Sequence, residues 1–279
     1  MSSEWNIIDP MIPVRQGDLL VSRDPSIEGS AEYFLVITAD CDINNEKFGK
    51  QLACLRVIPL NEYYKTIWAE RLMKTAEENA DKKVLAQVNK WYSQKRGAET
   101  KLSKIGLIHW MKKQTSEAIA EALDVETKKR KKFCKSLENY KVAQEIMTET
   151  HESVLVKYVE FFATVEGQPL ETAWKSTLKK TSSGLPDDVF LLSSIPSDGQ
   201  GAAVILLREL VGIAFDRIYC RSRDAVSKDD YLRVSRLEAV FKYAVSQSFG
   251  SLYSRIGLPN DYVQKNKEIL ALIKDEWVY

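Results

Sequence analysis

The alternation of apolar and polar residues separates a strand-rich beginning from the rest of the chain. Within residues 1–60, short apolar runs occupy Asp18–Arg23, Tyr33–Thr38 and Leu52–Leu60, with Gly- and Pro-containing stretches between the first two. Runs of this length that are rich in β-branched and aromatic residues and bounded by turn residues are typical of strands. The first segment is therefore predicted to be a small N-terminal β unit.

Residues 61–165 show the periodicity of helices. No proline occurs in this segment, and apolar residues recur mostly at spacings of three and four, as in the series Ile67, Met73, Ala76, Ala80, Val84, Val88 and Trp91. This spacing places the apolar side chains on one face of a helix. The segment is predicted to be a basic helical insertion, or arm, that follows the β unit.

Residues 166–279 mix both patterns. The predicted elements are strands at Val189–Leu192, Ala202–Leu207 and Tyr231–Leu237, a helix from Glu238 to Arg255, and a last helix after Asn260. Strands that are distant in sequence can pair across a helical insertion. We therefore expect an α+β fold with a small β-barrel-like body, a long helical insertion, and C-terminal strands and helices that pack with the N-terminal unit.

Composition excludes several classes of protein. The 279 residues contain 40 Lys and Arg against 39 Asp and Glu, so the chain is not a globally basic nucleic-acid binder. There is no apolar run of the ~20 residues that a membrane helix needs, and no signal-peptide pattern at the start, so we expect a cytoplasmic protein without membrane contact. The four cysteines form no CxxC, and both common phosphate-binding glycine motifs are missing, so we expect neither metal nor cofactor.

Positive charge is concentrated in the helical segment. Residues 61–150 hold 19 Lys and Arg against 13 Asp and Glu, and the densest run is Lys128, Lys129, Arg130, Lys131 and Lys132. Five consecutive cations on a helix spread around its axis, so this run must be exposed. It is interpreted either as a surface that binds phosphates or as an ordinary solvated helix face.

A second basic stretch adjoins two aromatic residues. Lys95 and Arg96 follow Trp91 and Tyr92. These rings either stack on nucleic-acid bases or belong to the apolar stripe of their helix.

The segment Thr38-Ala39-Asp40-Cys41-Asp42-Ile43 is predicted to be a turn that closes a strand. Asp40 and Asp42 have the spacing that opens a calcium loop, but the glycine and the final glutamate of such a loop are missing. Cys41 is a possible nucleophile, although the flanking carboxylates disfavour the thiolate that a nucleophile needs. A structural turn, or recognition of a partner by Asp42, are the remaining interpretations.

Two stretches at the start of the chain resemble the MazF/PemK family of toxins. They are Gly17-Asp18-Leu19-Leu20 and Phe34-Leu35-Val36-Ile37-Thr38. The resemblance implies an SH3-like barrel and an endoribonuclease in which Thr38 supplies the catalytic hydroxyl. Glu32 and Tyr33 stand where that family has Arg-Pro, so its catalytic cation has no counterpart there.

Two other motifs resemble a set of uncharacterised bacterial proteins of stress and phage-defence loci. The motifs are Cys41-Asp42-Ile43 and the tail Ser254-Arg255-Ile256-Gly257-Leu258-Pro259. This resemblance implies a regulatory role beside a protein encoded in the same locus, of the ATPase or response-regulator type. Arg255, at the predicted end of a helix, is a candidate partner for Asp40 or Asp42.

Together these patterns favour a non-enzymatic bacterial adaptor or regulatory component. It is expected to bind nucleic acid or a partner protein through the basic helical arm. Two alternatives remain open, namely a divergent MazF-like endoribonuclease that uses Thr38 and a structural subunit of a protein complex.

Overall fold

The computed structural model describes residues 4–22, 32–97, 100–181, 184–196 and 201–254. These residues belong to two compact units. Unit 1 combines the chain up to Pro59 with the chain from Leu185 onward, and unit 2 comprises Leu60–Gly184. The helical unit is thus inserted, in chain order, between two parts of unit 1.

Unit 1 is built on an eight-stranded sheet. Its strands are β1 (Trp5–Asn6), β2 (Asp18–Ser22), β3 (Tyr33–Val36), β4 (Gln51–Pro59), β5 (Val189–Leu192), β6 (Ala203–Ala214), β7 (Ile218–Tyr219) and β8 (Tyr231–Leu237). The strand order is β1-β8-β2-β3-β4-β6-β5, and β7 pairs with β8. All pairs are antiparallel except β7–β8. The sheet therefore combines strands from both ends of the chain.

The sheet is open, so the predicted SH3-like barrel is not confirmed. β1 and β5 lie at opposite ends of the strand order. The N-terminal strands continue on both sides into strands from the C-terminal part, because β2 pairs with β8 and β4 pairs with β6. What the structure shows is a mixed α and β protein with an open, predominantly antiparallel sheet.

Apolar residues cover both faces of this sheet. Successive residues of a strand point to opposite faces, and accordingly Leu19 and Leu35 belong to one buried cluster while Leu20 and Phe34 belong to another. The helical elements of unit 1 are α1 (Asp40–Asn44), a 3₁₀ turn (Phe215–Arg217) and α9 (Ala239–Ser254). Helix α9 contributes buried residues to the first cluster and α1 contributes one to the second. Each face of the sheet therefore carries a buried apolar cluster.

A buried ion pair joins β2 to β8. Asp18 is fully buried, and its Oδ2 accepts hydrogen bonds from the Arg236 Nη2 at 3.0 Å and from the Arg15 backbone N–H at 2.9 Å. Arg233, which lies beside Asp18, donates to the backbone carbonyls of Ile12 and Pro13. Because Asp18 is satisfied within the sheet, we assign this residue of the Gly-Asp-Leu-Leu stretch a structural role.

All the regular elements in the described part of unit 2 are helical. Its elements are α2 (Leu60–Tyr63), a π-helical turn (Tyr64–Trp68), α3 (Ala69–Arg96), α4 (Lys104–Lys113), α5 (Ser116–Ala122), α6 (Thr127–Thr148), α7 (Val154–Glu166) and α8 (Leu170–Thr181). The unit extends beyond residue 165, where the sequence pattern places the end of the helical segment, because α8 follows α7 and packs against it. Within the described residues, no helix is both long enough and apolar enough to cross a bilayer.

The apolar stripe of α3 builds the core of unit 2, as its spacing predicts. Met73, Ala80, Val84, Val88 and Trp91 are all buried there. Serine and threonine side chains begin three of the shorter helices by accepting a backbone N–H of the first turn, as preferred N-cap residues do. These caps fix where α4, α5 and α7 begin, and α4 and α5 carry part of the candidate site.

Candidate nucleic-acid interface

The first turns of α6 carry four lysines on one face. Lys128, Lys131, Lys132 and Lys135 are spaced i, i+3, i+4 and i+7, and all four are exposed. Side chains at this spacing lie next to one another on a helix surface. The other face of α6 carries the buried residues Phe133, Cys134, Leu137 and Tyr140. The four residues form a continuous cationic surface, here called the lysine stripe.

The lysine stripe is not neutralised by neighbouring carboxylates. Among the residues that the structure describes, none of its four ammonium groups forms an ion pair. The intervening cations differ, because Lys129 pairs with Glu126 at 2.7 Å and lies 5.6 Å from the centre of the Trp91 ring. Arg130 is only partly exposed. The run of five cations thus contains three members of the lysine stripe and two intervening cations, of which Lys129 pairs with Glu126.

The position of the lysine stripe opposes helix electrostatics. The N-terminal end of a helix carries a partial positive charge, which favours acidic residues there and disfavours cations. The first turn of α6 nevertheless contains no acidic residue. Like charges at i, i+3 and i, i+4 add further repulsion. Departures of this kind from local stability rules are expected at functional sites.

Further cations lie at the C-terminal ends of α3 and α4. Lys95 and Arg96 occupy the last turn of α3, and Lys112 and Lys113 occupy the last turn of α4. Lys95 reaches Asp124, in the connection from α5 to α6, at 2.6 Å. This ion pair brings the end of α3 close to the connection that leads into the lysine stripe.

The excess of positive charge extends beyond the individual helices. Residues 90–135 contain 13 Lys and Arg against 5 Asp and Glu. This stretch runs from the last turns of α3 through α4 and α5 to the lysine stripe. It is the most basic part of unit 2 and is here called the basic end.

A groove between α3 and α4 adds aromatic surface to these cations. Tyr92 and Trp110 line it, with ring centroids 6.3 Å apart and ring planes at 73°. Lys95, Arg96 and Lys113 also line the groove, which encloses about 480 Å³. The rings are partly buried and the three cations are exposed. We call this site the aromatic groove.

Polar contacts fix the two helices that form the aromatic groove. The Asn89 side chain accepts from the Leu102 backbone N–H at 2.6 Å and donates to the Leu102 carbonyl at 3.0 Å. Lys104 bridges Glu77 at 2.8 Å and Asp81 at 2.6 Å. Burial alone would lower the pKa of Lys104, but hydrogen bonds and charge interactions with the two carboxylates outweigh it and raise the pKa. Lys104 is therefore a structural cation, unlike the lysine stripe.

Of the two rings that the sequence selected, Trp91 and Tyr92, only Tyr92 lines the aromatic groove. Trp91 is only 8% exposed and belongs to the core, in agreement with the apolar stripe. Tyr92 lines the groove together with Trp110 and Lys113, which were not predicted from the sequence as site residues. The available signal was the i, i+3 spacing of Trp110 and Lys113 at the end of a short helix.

The Asp-Cys-Asp segment of unit 1 is a short helix, α1, and not the predicted turn. Asp40 Oδ2 pairs with Lys242 Nζ of α9 at 2.9 Å, and Asp40 Oδ1 accepts from the Gln16 backbone N–H at 2.9 Å. Burial alone would raise the pKa of Asp40, but these contacts lower it below the ordinary value. Cys41 is exposed, with its Sγ 3.7 Å from Asp42 Oδ1.

The cation that faces Asp40 in the described structure comes from α9. Lys242 fills the position for which the sequence suggested Arg255. Arg255 and the residues of the tail motif that follow it lie outside the described residues. The interpretation of Arg255 as a partner of the acidic residues therefore stays a prediction.

The Thr38 hydroxyl of unit 1 bonds to the neighbouring strand. Its Oγ1 accepts from the Ala53 backbone N–H at 2.7 Å. The resemblance to the toxins would place a catalytic cation at Glu32. The Glu32 Oε1 instead lies 3.6 Å from the Arg56 Nη2. These contacts are consistent with Thr38 joining the end of β3 to β4.

Comparisons with protein-family models, curated proteins and solved structures returned no significant match. The described residues contain no group of three or more His, Cys, Asp or Glu placed to hold a metal ion. The function must therefore be argued from the geometry of the basic end and the aromatic groove.

Proposed function

We propose that the protein binds nucleic acid through the basic end of unit 2 and acts as a non-enzymatic adaptor or regulatory component. The observation that carries this proposal is the lysine stripe, whose four exposed cations share one helix face without ion-pair partners in the described structure. A dense row of unpaired cations attracts a dense row of negative charges. Nucleic-acid phosphates provide such a row.

The dimensions of the lysine stripe suit a phosphate backbone. From Lys128 to Lys135 the helix axis rises by roughly 10 Å at ~1.5 Å per residue. In duplex DNA one strand carries a phosphate for every ~3.4 Å of axis, so a row of four phosphates spans about the same ~10 Å. Binding would release condensed counterions, which gives the interaction its affinity and its salt dependence.

The residues brought together at the basic end support binding rather than a particular reaction. They are ammonium and guanidinium groups beside partly exposed aromatic rings. Such groups hold phosphates and bases without making or breaking bonds. A protein encoded in the same locus remains the expected second partner, in keeping with an adaptor role.

Fluorescence anisotropy with labelled single-stranded and duplex DNA and RNA tests the proposal. The wild-type protein is titrated at about 50 and 200 mM salt. Four phosphate contacts predict a loss of affinity of about 50-fold for a single strand and about 150-fold for a duplex over this range. Changing Lys128, Lys131, Lys132 and Lys135 to Gln should weaken binding strongly at about 50 mM salt and make it less sensitive to salt.

A matched variant controls for net charge. Lys65, Lys74, Lys82 and Lys179 are exposed lysines of the same unit that lie outside the basic end. Changing these four to Gln removes the same charge and should leave the affinity nearly unchanged. Equal losses in both variants, or no binding by the wild-type protein, would contradict the proposal and turn attention to an acidic protein partner.

A further inference from the structure

We propose that the aromatic groove receives an unpaired base, so that the protein prefers single-stranded nucleic acid to duplex. This inference rests on the proposed function, because the lysine stripe supplies the phosphate contacts in both cases. It adds a second kind of contact that only an unpaired strand can make. A base in a duplex is stacked and paired and does not reach a groove between two helices.

The arrangement of the groove suits a base with its flanking phosphates. The partly buried rings of Tyr92 and Trp110 lie deeper than the exposed cations. Arg96 belongs to α3 and Lys113 belongs to α4, so both walls carry positive charge in addition to Lys95, which pairs with Asp124. A base that contacts the rings would thus have cations on either side for the backbone.

The charge of the lining also favours a nucleic acid. Its remaining members are Leu102, Gly106, His109, Gln114, Ala122 and Leu123, so the described lining contains no carboxylate. The nearby Asp124 is held by Lys95. The volume of about 480 Å³ lies in the ~300–1,000 Å³ range of small-ligand sites. A ligand that is both anionic and aromatic fits the positive charge and the volume of the groove.

The groove is preformed, which reduces the entropy lost on binding. The two hydrogen bonds between Asn89 and the Leu102 backbone tie α3 to the start of α4. The Trp110 indole N–H donates to Gln114 Oε1 at 2.9 Å, which orients the ring. The stacking surface therefore exists before the strand arrives.

The experiment compares single strands with a duplex of equal charge in the full-length protein. Trp110→Leu should weaken single-strand binding about tenfold, because a base–aromatic stack contributes at that scale. Its duplex affinity should stay within about twofold of wild type, since the lysine stripe is intact. Trp174→Leu, at a partly buried tryptophan of α8, is the matched control and should change neither affinity.

Abasic substitution tests the same contact without altering the protein. A short strand is made with one base removed at each position in turn. At least one position should weaken wild-type binding about tenfold, and the Trp110→Leu protein should be insensitive to that change. DNA and RNA strands are tested in parallel, and their ratio reports whether the 2′-hydroxyl is read.

Separate outcomes identify which proposal fails. Equal affinity of the wild-type protein for single strands and duplex, or abasic strands that bind as well as intact ones, would overturn the base-binding groove and leave the lysine-stripe proposal standing. Equal losses of both affinities in the Trp110→Leu protein would also overturn it. Absence of any binding by the wild-type protein would overturn both proposals.

Discussion

Removing the lysine stripe should make the protein more stable. Lys128, Lys131, Lys132 and Lys135 form four neighbouring like-charge pairs at i, i+3 and i, i+4. Each such pair costs about 0.2–0.5 kcal/mol, and a cation in the first turn costs about 0.3–1 kcal/mol against the helix dipole. The total is about 1–3 kcal/mol, and screening of exposed side chains favours the lower end.

The assay is thermal and urea unfolding of the full chain carrying these four Lys→Gln changes. At about 20 mM salt the helical signal should melt about 2–4 °C higher than in wild type, because about 1 kcal/mol shifts the midpoint by that amount in proteins of 150–250 residues. At about 500 mM salt the gain should largely disappear, since the Debye length falls well below that at low salt.

The control is the variant with Gln at Lys65, Lys74, Lys82 and Lys179. These lysines are distributed over several elements of unit 2 and should change stability by less than about 0.5 kcal/mol. A stripe variant that is less stable than wild type, or whose gain persists at high salt, would refute the argument that the stripe is retained at a cost in stability.

Three further predictions concern unit 1. Asp18→Ala should destabilise it by about 3–5 kcal/mol in urea unfolding, because it leaves the buried Arg233 and the mostly buried Arg236 without their carboxylate; an effect below about 1 kcal/mol would contradict this. Alkylation at pH 8 followed by mass spectrometry should modify the exposed Cys41 well before Cys54, because burial raises the pKa of Cys54 to about 12. Modification of Cys54 before Cys41 would contradict this prediction. Burial alone would raise the pKa of Asp40, but its hydrogen bonds with Lys242 and the Gln16 backbone and the charges of Lys242 and Arg15 together lower it. The pair with Lys242 therefore stabilises the fold above the ordinary pKa, and this contribution is lost as pH falls through the lowered pKa. Asp40→Asn should therefore reduce stability at pH 7 more than at pH 3, and equal losses would exclude the linkage.

Local sequence patterns predicted most of the strands but not how they pair. The apolar runs at Tyr33–Thr38 and Tyr231–Leu237 correspond closely to β3 and β8. Pairing of sequence-distant strands across the helical insertion was expected in general terms, but not which strands pair or in what register. The register of β4 with β6 joins residues more than 140 positions apart, and no local pattern encodes such a pairing.

Helix α1 shows a different limit of sequence reasoning. It has only five residues, and Ala39 precedes it where a side-chain cap would have signalled a start. Asp40 makes its contacts with Gln16 and Lys242, which are remote in sequence. A segment whose conformation depends on such partners reads locally as a turn.

The candidate site was partly predictable for a physical reason. Helical geometry alone required the cationic run to be exposed, and four of its five members are exposed. Which lysines remain unpaired depends on Glu126 and Asp124, which lie before the helix and hold Lys129 and Lys95. The pairing of Tyr92 with Trp110 depends on how α3 and α4 meet, which periodicity does not give.

The most direct test of the central claim is the salt dependence of binding to a labelled single strand. The slope of log Kd against log salt is measured for the wild-type protein and for the variant with Gln at the four stripe positions. Each phosphate contact contributes about 0.7 to this slope, so losing four contacts should make the slope of the variant shallower by about 3. Slopes that are the same for both proteins would show that the lysine stripe does not contact the nucleic acid.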